Sequence, residues 1–285
     1  MKTIKALIKS HPLLSYFVLV FAISWGGGLI VIGPGAFLGT REISGELFLL
    51  VVLVALAGPS VSGILLTALV DGRAGLSEFR SRLLKWRVGA RWYAVALLSA
   101  PLLFTAILFA LSLSSPKILP GILASDDKMS VVLMGIVAGL MAGIFEELGW
   151  TGFAIPRMRQ RYGVLGTGLI VGLLWGAWHY PLFSASGSSS VALGLAIVLV
   201  RLFSWLPPYR VLMVWVYDRT GSLLVAMLMH ASLSASMFIL APLVTGVAIV
   251  TSVLVWAAVL WVVVGAVALA QGGHLSRQPL RRRVA

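Results

Sequence analysis

Cysteine is missing from the chain altogether. That absence excludes disulfides, thiolate metal ligands and a cysteine nucleophile, so any attacking group has to be an oxygen or a bound water. Charge is also scarce. Only 11% of the 285 residues are Asp, Glu, Lys or Arg, against roughly 25% in soluble domains. With 60% hydrophobic residues and a mean hydropathy of +1.02, an ordinary soluble enzyme is excluded and an integral membrane protein is indicated. Acidic side chains are scarcest, nine against 22 Lys and Arg, and the net charge is +13. The cations sit in short runs between apolar stretches, which marks them as topology signals and argues against a nucleic-acid partner. Two hydrolase patterns are missing as well: no HExxH and no GxSxG stretch occurs.

What is present is a series of long apolar runs, at about 13–37, 48–70, 93–113, 129–155, 164–180, 191–205, 221–240 and 244–270. Most are long enough to cross a hydrocarbon core as helices. The expected fold is all-α, a polytopic bundle of about eight transmembrane helices forming one membrane domain over residues 1–285. The first run exceeds the ~7–15 residues of a signal-peptide core, so it reads as an uncleaved span. Lys and Arg are enriched at the N-terminus, in alternate connectors and in the tail, which predicts both termini cytoplasmic, and the short loops point to a bacterial plasma membrane. Pro59 is expected to kink the second span and Pro156 to close the fourth. Residues 71–92 carry Arg73, Arg80, Arg82, Lys85, Arg87 and Arg91 between Leu76, Phe79, Leu83 and Trp86. This pattern predicts an amphipathic surface helix that meets anionic lipid headgroups. Residues 206–220, with Pro207, Pro208, Arg210, Asp218 and Arg219, read as a connector.

The fourth run contains the chemistry. Gly135, Gly139 and Gly143 recur every fourth residue, a smooth stripe for close helix approach. Glu146 and Glu147 follow it. Carboxylates in hydrocarbon are costly and mark function by default, and two together resist joint ionisation unless a cation or metal is near. Glu146 lies eleven residues before Arg157, about 16 Å deep at ~1.5 Å per residue. By the same rise His230 is about 14 Å from Gly221, and His179 about 22 Å from Val164. Two carboxylates and two imidazoles thus reach similar depths on three helices. Taken singly, each histidine could be a hydrogen-bonded core or interfacial residue. Jointly, Glu146, His179 and His230 suit a Zn²⁺ ligand set.

These residues also stand in a recognisable order. Glu146-Glu147-Leu-Gly-Trp-Thr-Gly resembles the EExxxR motif of the CPBP intramembrane proteases, the CAAX-processing and bacteriocin-processing enzymes also called the abortive-infection family. Trp175-xxx-His179 resembles their FxxxH motif and His230-xxx-Ser234 their HxxxN motif, with likeness over about residues 75–240. The resemblance implies an intramembrane endopeptidase acting on a peptide or membrane-protein substrate. Glu146 and His179 would activate a water, His230 would stabilise the oxyanion or help bind metal, and Glu147 would be a supporting acid. Ser234 would stand in for the motif asparagine. The sequence departs from the motifs at three places: Thr151 replaces the arginine, Ser234 the asparagine and Trp175 the phenylalanine. Arg157 or Arg219 is expected to supply the missing cation. Two other readings remain at this point: a catalytically silent relative acting as a binding or immunity protein, and a proton-coupled transporter using the same Glu and His residues.

Overall fold

The computed structural model describes residues 4–183, 191–244, 247–273 and 275. The serine-rich loop 184–190 and the basic tail with Arg277, Arg281, Arg282 and Arg283 lie outside the described residues. The chain is a helical membrane bundle with no strand among the described residues. A short α1 (Ile4–Ser10) leads into α2 (Pro12–Phe37), α3 (Gly45–Leu83), α4 (Ala90–Ser112) and α5 (Lys128–Met158). There follow α6 (Val164–Trp178), α7 (Val191–Phe203), α8 (Leu206–Thr220), α9 (Leu223–Leu240) and α10 (Val247–Ala270). Among the described residues, seven helical segments, with Ala196–Thr220 taken as one, are long and apolar enough to cross a membrane, and α6 is a shorter apolar helix.

Helix α9 is packed against α5 along the glycine stripe and against α4 on another side. A Cβ added at Gly139 would strike the carbonyl oxygen of Ala231, and one at Gly143 that of Met227. Only glycine lets the two backbones approach so closely. A second stripe, Gly168, Gly172 and Gly176, serves α6 in the same way against Val211, Pro207 and Leu202. The two stripes bring α5, α6, α8 and α9 together. Ser222 fixes the start of α9, accepting from the Val225 amide at 3.2 Å and donating to the Lys85 carbonyl at 2.6 Å. Gly221, at φ 58°, takes the left-handed position that ends α8.

Four local expectations are corrected. Residues 206–220 are not a connector: they form α8, buried along nearly its whole length in the centre of the bundle. Pro207 and Pro208 open this helix, at first-turn positions where a missing N–H costs nothing. Pro156 does not close α5. The helix widens into a π-turn over Trp150–Ala154 and runs on to Met158. In an α-helix an amide at 156 would bond the Gly152 carbonyl; here that oxygen accepts from Arg82 Nη2 at 3.0 Å. In α3 the non-helical backbone is at Gly72 (φ 65°), while Pro59 stays within the helix. The basic stretch from residue 71 continues α3 to Leu83 and breaks before Trp92, which already belongs to α4.

Candidate active site

The helices deliver the two glutamates into different surroundings. Both are buried, Glu147 at 0% and Glu146 at 3% exposure. Glu147 is held on every side. Arg210 Nη1 donates to Oε1 at 2.8 Å and to Oε2 at 2.9 Å, His230 Nδ1 lies 2.8 Å from Oε1, and the Thr151 hydroxyl donates to Oε2. A carboxylate paired to a guanidinium only accepts, so Nδ1 of His230 carries the hydrogen. This chain, Arg210 to Glu147 to His230, ties α8, α5 and α9 at one point.

Glu146 is held more lightly. Its Oε2 accepts from the indole Nε1 of Trp175 at 2.6 Å, and its Oε1 is 3.8 Å from His230 Nε2, too far for a hydrogen bond. Trp175 also presents its main-chain carbonyl to His179 Nδ1 at 2.8 Å. Because a carbonyl only accepts, Nδ1 bears the proton and Nε2 carries the lone pair of the neutral ring. The Trp175 ring stands edge-on to His230, centroids 5.0 Å apart, and the Arg210 guanidinium sits 4.0 Å over its face, a favourable cation–π position.

Trp175, His179, His230 and Ser234 line one cavity of about 200 Å³ whose remaining wall is chiefly apolar, including Phe104, Leu202, Trp205, Leu233, Met237 and Trp256. Ser234 lies one turn beyond His230 on α9. From the other side, Trp178 Nε1 donates to Ser24 Oγ at 2.8 Å and Trp25 Nε1 to the Trp178 carbonyl at 3.2 Å. These bonds fasten the end of α6, and with it His179, to α2.

The structure therefore draws Glu146, Glu147 and His230 into direct or near contact, with His179 joined to them through Trp175 and Ser234 on the shared cavity. The cation expected from Arg157 or Arg219 comes from neither. Arg157 pairs with Asp71 and bonds the Phe153 carbonyl at 3.0 Å, and Arg219 reaches Gln271. Arg210 is the residue that sequence reasoning missed. Its local signal was an arginine one residue ahead of the apolar run Val211–Val216, hidden by the adjacent prolines. Of the three residues suited to Zn²⁺, Glu146 Oε1 and His230 Nε2 stand 3.8 Å apart and His179 keeps the lone pair of Nε2, while no three His, Cys, Asp or Glu side chains among the described residues are grouped closely enough to hold a metal ion as they stand.

Two comparisons with known proteins bear on this arrangement. A family model described as "Type II CAAX prenyl endopeptidase Rce1-like" matches residues 128–236, the stretch holding all three motifs. A protein from Methanococcus maripaludis named "CAAX prenyl protease 2" is 26% identical over 186 residues, covering 63% of this chain. The match spans 65% of that relative's own length.

Proposed function

We propose that the chain, which matches the type II CAAX prenyl endopeptidase model over residues 128–236, is a protease of that kind, an intramembrane endopeptidase in which Glu146 activates a water against a peptide bond. The observation that carries this reading is that two imidazoles and a hydroxyl line one largely apolar cavity, with the lightly held Glu146 carboxylate directly behind two of its wall residues, bonded to Trp175 and 3.8 Å from His230. Glu146 accepts a proton as the water oxygen bonds to the scissile carbonyl carbon, a general-base step contributing roughly 10²–10⁴-fold. His179, with its lone pair on Nε2, helps orient that water. The negative charge developing on the carbonyl oxygen is met by the Ser234 hydroxyl and by Nε2 of His230 in its doubly protonated form, whose Nδ1 hydrogen stays on Glu147. Collapse breaks the C–N bond, and the proton taken from water passes to the departing nitrogen, leaving a carboxylate and an amine. Glu147 holds His230 by its Nδ1 hydrogen and takes no proton in this scheme. No step is routed through a metal.

The cavity accepts apolar groups, so the substrate is a membrane-associated peptide with an apolar side chain or lipid modification near the cut. Because a relative is named a CAAX prenyl protease, a prenylated peptide is the first substrate to try. The experiment is cleavage of such peptides, prenylated and not, by purified protein in lipid. Wild type is expected to cut, and Glu146→Gln and His179→Ala to lose at least 100-fold in turnover at unchanged thermal stability. Cleavage surviving Glu146→Gln would reject the reading. Absence of cleavage with all peptides, alongside a retained cellular phenotype in Glu146→Gln, would favour a binding or immunity role. pH-dependent solute flux altered by the same variant would indicate a transporter.

A further inference from the structure

Trp175 occupies the place where the motif has phenylalanine, and its polar edge is in use. A phenylalanine ring could line the same wall but could not donate to Glu146. The indole Nε1 donates to Glu146 Oε2 at 2.6 Å. The same residue's carbonyl sets the His179 ring through Nδ1 at 2.8 Å. Its ring lies between Arg210, 4.0 Å from the centroid, and the edge of His230, 5.0 Å between centroids. Trp175 is itself 1% exposed and sits on α6, where Gly172 and Gly176 seat the helix against Pro207 and Leu202. It therefore has little freedom to move.

Without the indole bond, no hydrogen-bond donor among the described residues reaches a Glu146 oxygen, and His230 Nε2 stands off at 3.8 Å. A glutamate with three side-chain torsions and no donor at either oxygen would spread over several rotamers. Its oxygens must nevertheless stay within hydrogen-bond reach of the water whose proton they take.

We infer that Trp175 is a positioning residue: its indole N–H fixes Glu146 while its carbonyl fixes His179, so one rigid side chain and its own peptide group aim both water-activating groups. The inference rests on the proteolytic reading above and adds to it a requirement specific to this chain. Restoring the motif residue phenylalanine is harmful here. The hydrogen on the indole nitrogen matters beyond the shape of the ring.

The test is a substitution series in the full-length protein reconstituted in lipid, with kcat and KM measured on one cleavable peptide. Trp175→Phe removes both bulk and donor. Replacement of Trp175 by β-(3-benzothienyl)alanine keeps the bicyclic shape and exchanges only N–H for sulfur, so it guards against a packing defect. Both are expected to lower kcat, by about 100-fold for misplacement of a catalytic group in Trp175→Phe and by at least 10-fold in the isostere, with KM changed less than twofold. Thermal unfolding of the isostere should be lowered by no more than the loss of one hydrogen bond, leaving the protein fully folded at the assay temperature. Full activity in the isostere would overturn the inference, because shape alone would then suffice. A loss appearing only in KM would overturn it too. If wild type cuts and Glu146→Gln does not while the isostere stays active, the positioning role falls and the proteolytic reading stands. If Glu146→Gln still cuts, the proteolytic reading falls first.

Discussion

Glu146 and Glu147 are neighbours in sequence and opposites in setting. On the Glu147 side every carboxylate oxygen is engaged, by Arg210, His230 and Thr151, and the group is sealed from all space. On the Glu146 side one indole donor holds one oxygen, and the imidazole beside the other stops at 3.8 Å. On the proposed reading, two acids that begin alike are divided by their partners into an anchor and a working group. A saturated carboxylate cannot take a proton without breaking its own support, whereas a lightly held one can. The anchor's task is to set His230, and the cation that allows it to remain charged in a membrane interior comes from a different helix than the family motif leads one to expect.

The largest effect that would break this comparison is removal of the anchor's cation. Arg210→Met strands a buried carboxylate, a loss of about 3–5 kcal/mol for a broken buried pair, so thermal unfolding in detergent should fall sharply and cleavage with it. The double variant Glu147→Gln/Arg210→Met should recover most of the stability but little turnover, because His230 then lacks its charged partner. Equal stability of Arg210→Met and wild type would mean that the ion pair carries no weight.

Next in size is the scaffold. Gly139→Val drives side-chain atoms into the Ala231 carbonyl and should destabilise by roughly 1–3 kcal/mol, as overpacking does, with activity falling in proportion to folded protein. Smaller again is Thr151→Val, which removes one donor from Glu147 and keeps the shape. A cost of about 1 kcal/mol for a single hydrogen bond and a several-fold drop in turnover are expected, measured by the same assays. If Thr151→Val matched Arg210→Met in severity, the hydroxyl and not the guanidinium would be the main support. Smallest is chelation. Dialysis against a strong chelator should leave turnover unchanged, and loss of activity restored by Zn²⁺ would contradict a metal-independent Glu146.

Much of this contrast was legible beforehand, and the part that was not has a physical cause. Glu146, Glu147, His179 and His230 stood out because polar groups in long apolar runs are expensive and because their order matched three motifs. The glycine stripe on α5 was legible for the same kind of reason, since every-fourth-residue spacing maps onto one helix face. Arg210 was not. Its bond to Glu147 joins residues 63 apart in sequence, and no local pattern encodes such a meeting. Pro207 and Pro208 misled because a proline that ends one helix and a proline that starts the next look alike without the fold. The π-turn at Trp150–Ala154 was hidden likewise: Pro156 forbids a regular bond, but only the structure reveals that Arg82 takes the Gly152 carbonyl and lets the helix continue.

The most direct measurement pairs the two glutamates: turnover and thermal unfolding of Glu146→Gln and Glu147→Gln, side by side in the same lipid. The account predicts that Glu146→Gln abolishes cleavage and unfolds like wild type, whereas Glu147→Gln unfolds at a clearly lower temperature and loses activity along with stability. A Glu147→Gln protein as stable as wild type, together with a Glu146→Gln protein that still cleaves, would contradict the division of labour between them.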